Sequence, residues 1–163
     1  MKVGQGYDIH PLREGLPLIL GGVTIPHSHG LDGHSDADAL THAVCDAILG
    51  ALGEGDLGTR YPSHNPEYKN LSSLLMLRSV ANTLSEKGFS LLNLDTVVMA
   101  QAPKLAPYVK AMKDSLAKVL DVEPHQVNVK VKSGEGIGMI GRAEGIAVQA
   151  ICLIDSARIS SEG

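Results

Sequence analysis

Four residues at alternate positions near the start of the chain, Gly4, Gly6, Asp8 and His10, constrain its fold more than any other feature. In a strand, side chains alternate between faces, so Val3, Tyr7 and Ile9 point one way and these four share the other. Two glycines there leave space beside a carboxylate and an imidazole, a pair of groups that binds transition metals. His42, on a helix downstream, supplies a third candidate ligand. Three protein ligands of mixed nitrogen and oxygen type leave a position open on the ion, as a catalytic site requires. A hydrogen-bonded Asp–His pair on a polar strand face is the competing reading. Seven histidines in 163 residues make chance pairings easy, so the rest of the chain must decide.

Composition narrows the class. A hydrophobic fraction of 44% and a charged fraction of 20% are those of a globular chain, and the length suits one domain with a real core. A net charge of -4 and an aromatic content of 3% argue against nucleic-acid binding. No apolar run approaches the roughly 20 residues of a membrane span, and the N-terminus lacks the blocks of a signal peptide. Cys45 and Cys152 are isolated, which predicts reduced packing residues and a cytoplasmic protein.

The pattern predicts alternating strands and helices. Leu18-Ile19-Leu20-Gly21-Gly22-Val23-Thr24-Ile25 reads as a hairpin. A helix is expected from an N-cap at Ser35, with Asp36 and Asp38 in its first turn and an apolar repeat from Ala39 to Ala51. Asp38, His42 and Asp46 form a polar line along it. Turns fill Gly53 to Asn70, and a second helix spans Leu71 to Lys87, capped by Gly88. A strand from Leu92 to Gln101, a helix from Ala106 to Leu120 and a strand from Gln126 to Ser133 follow. A glycine-rich loop, Gly134 to Gly145, leads to a last strand, Ile146 to Ile154, and a frayed tail from Asp155. The expectation is one α/β domain of α+β type, residues 1–155, with a mixed sheet covered by helices on one face, and a C-terminal tail at 156–163.

Three loops have the chemistry of phosphate contacts. Gly33-His34-Ser35-Asp36 sets an imidazole and a hydroxyl at the expected start of a helix, where free N–H groups favour an anion. Asp56, between two glycines, is either a turn residue or a group that orients His42. Lys132-Ser133-Gly134-Glu135 lacks the lysine placement of a P-loop but offers a cation, a hydroxyl and a carboxylate, enough for a phosphate with magnesium.

The order of motifs resembles the 2-C-methyl-D-erythritol 2,4-cyclodiphosphate synthase family of non-mevalonate isoprenoid biosynthesis, from Val3 to about Ile154. The likeness rests on Gly6-Tyr7-Asp8-Ile9-His10, Leu20 to Pro26, His34-Ser35-Asp36 with Asp38, and His42-Ala43 with Asp46-Ala47. It continues through Gly55-Asp56-Leu57-Gly58, Ala100-Gln101-Ala102-Pro103-Lys104, Asn128-Val129-Lys130 and Gly141-Arg142 with Glu144-Gly145. The resemblance implies a cytoplasmic homotrimer with active sites at subunit boundaries. It implies zinc on Asp8, His10 and His42, and magnesium or manganese on Glu135 near Ser133. His34 and Ser35 match phosphate contacts, beside Ile9. Asp56, Leu57 and Gly58 match the methylerythritol site, with Tyr61, Pro62, Ser63, His64 and Asn65 next to it. Ala100, Gln101, Ala102, Pro103, Lys104, Leu105 and Ala106 match a loop gripping cytosine, contributed by the adjacent subunit. Lys132, Ser133, Gly134, Glu135, Met139 and Arg142 complete the implied substrate contacts. The chain departs from the family where Lys132, Ser133 and Gly134 replace a run of threonines, and where Ser63 replaces a frequent aspartate.

The implied reaction is attack of the 2-phosphate of a cytidine diphosphate ester on its own β-phosphorus, closing a ring and expelling CMP. A phosphate monoester is largely dianionic at neutral pH, so no base is needed, and none of the Ser-His-Asp type stands out. Positioning and charge stabilisation are what such a reaction asks of a protein, with His34 and Ser133 as expected donors. Two histidines and a carboxylate also describe the triad of non-haem iron oxygenases, which leaves the phosphate-like loops unexplained. A trimeric binding module with a structural metal would need a fourth ligand that no motif supplies. Gly138, Arg142 and Glu144 line a central cavity on one reading, or form an Arg–Glu pair between subunits on another.

Overall fold

The period-two pattern at the start of the chain becomes a long strand, β1 (Lys2–Glu14), in a computed structural model that describes residues 1–156. β1 pairs antiparallel with β7 (Gly145–Ser156) over ten residues, from Lys2 opposite Ile154 to Pro11 opposite Gly145. β7 in turn pairs antiparallel with β5 (Phe89–Met99), and β5 pairs parallel with β6 (Val127–Lys132). The short β4 (His29–Leu31) closes the other edge, giving the order β4-β1-β7-β5-β6. The parallel pair needs a crossover, supplied by helix α4 (Val109–Leu120). β2 (Leu18–Leu20) and β3 (Val23–Ile25) form the hairpin expected around Gly21-Gly22.

All three long helices pack on one face. α1 (Ala39–Leu52) lies across β1 and β7, α3 (Ser73–Glu86) packs on α1, and α4 packs on α3 and β6. Leu40, Ile48, Leu49, Leu77, Leu94, Met112, Leu116, Ile146 and Ile154 are the large side chains sealed between these layers. Val3, Tyr7, Ile9 and Ile151 on the opposite sheet face remain exposed. Cys45 and Cys152 are free and buried, and burial pushes the Cys152 thiol up to about 11. Among the described residues no helix is long and apolar enough to cross a membrane.

Gly4 and Gly6 serve the helix rather than the ion. A Cβ at Gly4 would stand 1.8 Å from the Ala47 carbonyl oxygen, and one at Gly6 2.0 Å from that of Ala43. Ala43, Ala47 and Ala51 recur once per turn, so α1 presents only methyl groups and lies with its backbone almost on the strand. That approach sets His42 beside Asp8 and His10.

The start of α1 differs from expectation. Ser35 is not its cap; the helix begins at Ala39 and Asp38 caps it. The Asp38 carboxylate, fully buried, accepts from Thr41 N (3.0 Å), Thr41 Oγ1 (2.7 Å), Gly21 N (2.8 Å) and Gly22 N (2.7 Å). Gly21 and Gly22, at φ of 58° and 73°, turn both amides inward, so one carboxylate staples the hairpin to the helix. The helix end is therefore filled by Asp38, and His34 and Ser35 lie in the turn before it. A four-residue helix α2 (Leu57–Arg60) and a 3-10 turn at Pro66–Tyr68 occupy a segment read only as turns. The expected helix from Ala106 opens as a 3-10 turn to Tyr108. One-turn α5 (Gly138–Gly141) interrupts the glycine-rich loop. Asp155 and Ser156 belong to β7 instead of a frayed tail, and the remainder of the predicted tail lies outside the described residues.

Candidate active site

β1 and α1 bring three ligand atoms together. Asp8 Oδ2 stands 2.9 Å from His10 Nε2 and 3.1 Å from His42 Nδ1, and the two nitrogens are 3.3 Å apart. Each histidine is oriented by its other nitrogen. His10 Nδ1–H donates to the Asp32 carbonyl at 2.9 Å, which turns Nε2 toward Asp8. His42 Nε2 meets the hydroxyls of Ser73 (2.8 Å) and Ser35 (3.1 Å).

Three candidate ligand atoms thus converge on one point. Burial works to raise the Asp8 carboxyl, but hydrogen bonds and charge from His10 and His42 outweigh it and hold the group well below the usual carboxylate range. Burial lowers His10, yet Asp8 and then Asp32 raise it on balance. The cluster calls for a cation at its centre. A zinc with bonds of about 2.0–2.1 Å separates tetrahedral ligands by about 3.3 Å, close to the spacings found, and the donor set is the mixed N/O type zinc accepts. The residues fit the ion.

The triad lies in a cleft of about 260 Å³ with His34, Ser35, Asp46, Leu57, Gly58, Tyr61, Ser63, Tyr68 and Met76. Asp46 accepts from Leu57 N at 2.7 Å, tying α2 to α1; burial raises its carboxyl, and that amide opposes the rise. Asp56 does not reach His42: it caps α2 by accepting from Thr59 N at 2.7 Å. His34 Nε2–H donates to the Asn65 carbonyl at 3.0 Å, so that nitrogen is already engaged within the chain. Ile9 sits on the outer sheet face, and Pro62 and His64 are in the loop beside the cleft without lining it.

Of the remaining expected residues, Ala100, Gln101, Pro103 to Ala106, Lys132 and Ser133 line a second cleft with Val131, and Ala102, Gly134 and Glu135 do not line it. Gln101 Oε1 accepts from Gly134 N (3.2 Å) and Gly136 N (3.4 Å), joining the two loops. The exposed Ser133 hydroxyl donates to Glu135. Within one chain these residues share no lining with the triad. Met139 is exposed, and Arg142 Nε donates to Glu144 at 2.6 Å within one chain.

Sequence reasoning missed Ser73, Tyr68 and Met76, and assigned Asp46 no role at the site. Asp46 was visible one turn beyond His42; Ser73 opens another helix 31 residues from His42 and carries no local signal.

A sequence model of the YgbB family matches residues 1–155. The chain belongs to the YgbB family. Among curated relatives it is 52% identical to the 2-C-methyl-D-erythritol 2,4-cyclodiphosphate synthase of Laribacter hongkongensis, over 96% of both chains. The YgbB fold superposes on the bifunctional IspDF of Campylobacter jejuni with a TM-score of 0.92 and 42% identity, covering 95% of this chain and 42% of that one. A Plasmodium falciparum structure described as an IspF CDP complex gives a TM-score of 0.85 at 34% identity, covering 96% and 97%.

Proposed function

We infer that this YgbB-family enzyme converts 4-diphosphocytidyl-2-C-methyl-D-erythritol 2-phosphate to 2-C-methyl-D-erythritol 2,4-cyclodiphosphate and CMP in isoprenoid precursor biosynthesis. The observation that carries the reading is the convergence of Asp8, His10 and His42 on one point in a cleft, within a YgbB-family chain whose curated relatives at about half identity are such synthases. An oxygen of the 2-phosphate attacks the β-phosphorus as the bond to the α,β-bridging oxygen breaks, and CMP carries away that electron pair. No proton has to be removed.

The work of the chain is to hold two anions together. Bound on the triad, a zinc ion supplies Lewis acidity toward a phosphate oxygen, and magnesium or manganese on Glu135 neutralises diphosphate charge. Ser35, on the cleft wall, donates to a phosphate in this reading. Leu57, Tyr61, Tyr68 and Met76 give that wall an apolar part, which suits the methylerythritol carbons and excludes water. Asp56 and Gly58 receive its hydroxyls. The loop from Ala100 to Ala106 accepts cytosine, and Lys132, Ser133 and Glu135 meet the diphosphate.

Since the two clefts are separate within one chain, a complete site takes one from each of two subunits. The exposed sheet face supports a homotrimer as the assembly, located in the cytoplasm. Incubation with the substrate and magnesium is expected to release CMP and give two coupled phosphorus resonances in a ring. Inorganic phosphate as the product would overturn the cyclisation. Zinc analysis is expected to find about one ion per subunit, absent from His42→Ala and Asp8→Ala.

A further inference from the structure

Helix α2 is too short to hold itself. It is a single turn, closed by the Arg60 N–H on the Asp56 carbonyl at 3.3 Å and the Tyr61 N–H on the Leu57 carbonyl at 2.7 Å. Fixing a first turn orders several residues for very few hydrogen bonds, so an isolated turn of this kind opens in water. Yet Leu57, Gly58 and Tyr61, which belong to α2 or cap it, are part of the wall of the cleft that holds the triad. Side chains at both of its ends keep this wall in place.

At the start, Asp46 of α1 accepts the Leu57 N–H at 2.7 Å, and Asp56 caps the turn. At the end, Arg60 reaches across to α3, where its Nη2 donates to Thr83 Oγ1 at 2.7 Å. The Thr83 hydroxyl gives its own proton to the Ser79 carbonyl at 3.1 Å, so its oxygen has a lone pair for Arg60. The other terminal nitrogen of the guanidinium, Nη1, is shut off from solvent and meets no hydrogen-bond partner among the described residues. The acids of the adjoining turn are engaged elsewhere: Glu54 pairs with Lys87 at 2.6 Å, and Asp56 serves as the cap. A sealed donor without an acceptor costs stability. For stability alone an apolar side chain of similar length serves better; what the guanidinium adds is a fixed tie between α2 and α3.

We propose that Arg60 is a positioning residue that ties the end of α2 to Thr83, so that Leu57, Gly58 and Tyr61 hold the methylerythritol end of the substrate, with its attacking phosphate, in a fixed orientation beside the triad. The kinetic consequence rests on the cyclisation reading of the site; the tie itself does not.

The test compares the full-length wild type with Arg60→Met. Methionine keeps an apolar stem and removes both the charge and the tie. It strands no partner, because the Thr83 hydroxyl still has the Ser79 carbonyl. The apparent Tm is expected to stay at the wild-type value or rise by about 1–3 °C. In amide exchange resolved by NMR, the N–H groups of residues 60 and 61 are expected to exchange about 10-fold faster, while that of Leu57, held by Asp46, keeps its rate. Zinc content should not change, since its ligands lie on β1 and α1. The kcat is expected to fall about 10-fold as the attacking phosphate loses its orientation, whereas CMP, bound through the other cleft, inhibits with an unchanged constant. Arg60→Lys, which keeps a donor for Thr83 on a long stem, is expected to recover most of the protection and the turnover.

A merely structural Arg60 predicts the opposite pattern, with Tm, zinc content and turnover lost together, and that result overturns the proposal. Wild-type exchange at residues 60 and 61 in Arg60→Met, or a wild-type kcat, overturns it as well. A wild-type chain without turnover would instead remove the cyclisation reading, and the exchange rates would still decide whether Arg60 anchors α2.

Discussion

Glu135 is exposed, at a φ of 50°, and its carboxylate accepts from Ser133. A loop carboxylate so placed has no packing to maintain, which isolates its charge as the property to test. Glu135→Gln keeps size and one carbonyl oxygen, so fold and zinc content should hold. If Glu135 carries magnesium against the diphosphate, charge on the departing CMP goes unbalanced in the variant. Turnover should fall about 100-fold, roughly 3 kcal/mol of barrier, with the loss in kcat more than in KM. Steady-state kinetics across a magnesium titration measures this; a wild-type kcat with the same magnesium dependence would reduce Glu135 to a solvated loop charge. Asp8, His10 and His42 were legible in the sequence because a period of two and a helical stripe put them on facing surfaces. The groups that orient the two histidines, Asp32 for His10 and Ser35 and Ser73 for His42, were not, since partners from other segments leave no local pattern. His34 was half legible: its place in the cleft was predicted, but the Asn65 carbonyl that takes its Nε2 proton was not.

At the scale of elements, the site exists because α1 lies unusually close to β1. Gly6→Ala puts a methyl carbon 2.0 Å from the Ala43 carbonyl oxygen, a backbone atom that no rotamer change can move aside. The helix must shift, at a cost of about 3 kcal/mol, and His42 moves with it. The apparent Tm should drop by about 10 °C and zinc content should fall in the same variant. Gly50→Ala is the matched control on the same helix: its nearest foreign atom would be Gln5 O at 3.7 Å, and the change should stabilise by up to about 0.5–1 kcal/mol. Thermal unfolding of the pair settles it; equal effects at Gly6 and Gly50 would mean that helix–strand distance does not set the site. Strands and helices were readable from periodicity here, whereas the start of α1 was misplaced at Ser35. Ser35, Asp36 and Asp38 are all good capping types, and the choice among them was made by the hairpin amides of Gly21 and Gly22, which only the folded chain brings to Asp38.

For the molecule as a whole, the outer face of the sheet is where fold and function meet. Cross-strand register sets Gln5 opposite Ile151 and Ile151 opposite Asp95, so Ile151, 52% exposed, lies mid-sheet with Val3 and Tyr7 nearby. On the trimer reading, this partly apolar sheet face, uncovered by any helix, is the surface that packs against a second copy. The two clefts point the same way, since Ala100 to Ala106 and Lys132 to Glu135 share no lining with Asp8, His10 and His42 in a single chain. Ile151→Lys places a charge in the middle of that patch while leaving the buried face of β7, and the metal ligands on β1 and α1, untouched. The variant should sediment as a monomer, keep its circular dichroism and its zinc, and lose turnover. Mixing it with a second monomeric variant should restore none, because neither offers a face that packs. Full turnover by a species with the mass of one subunit would show that a single chain closes its own site, and both the shared-site and trimer readings would then fail together.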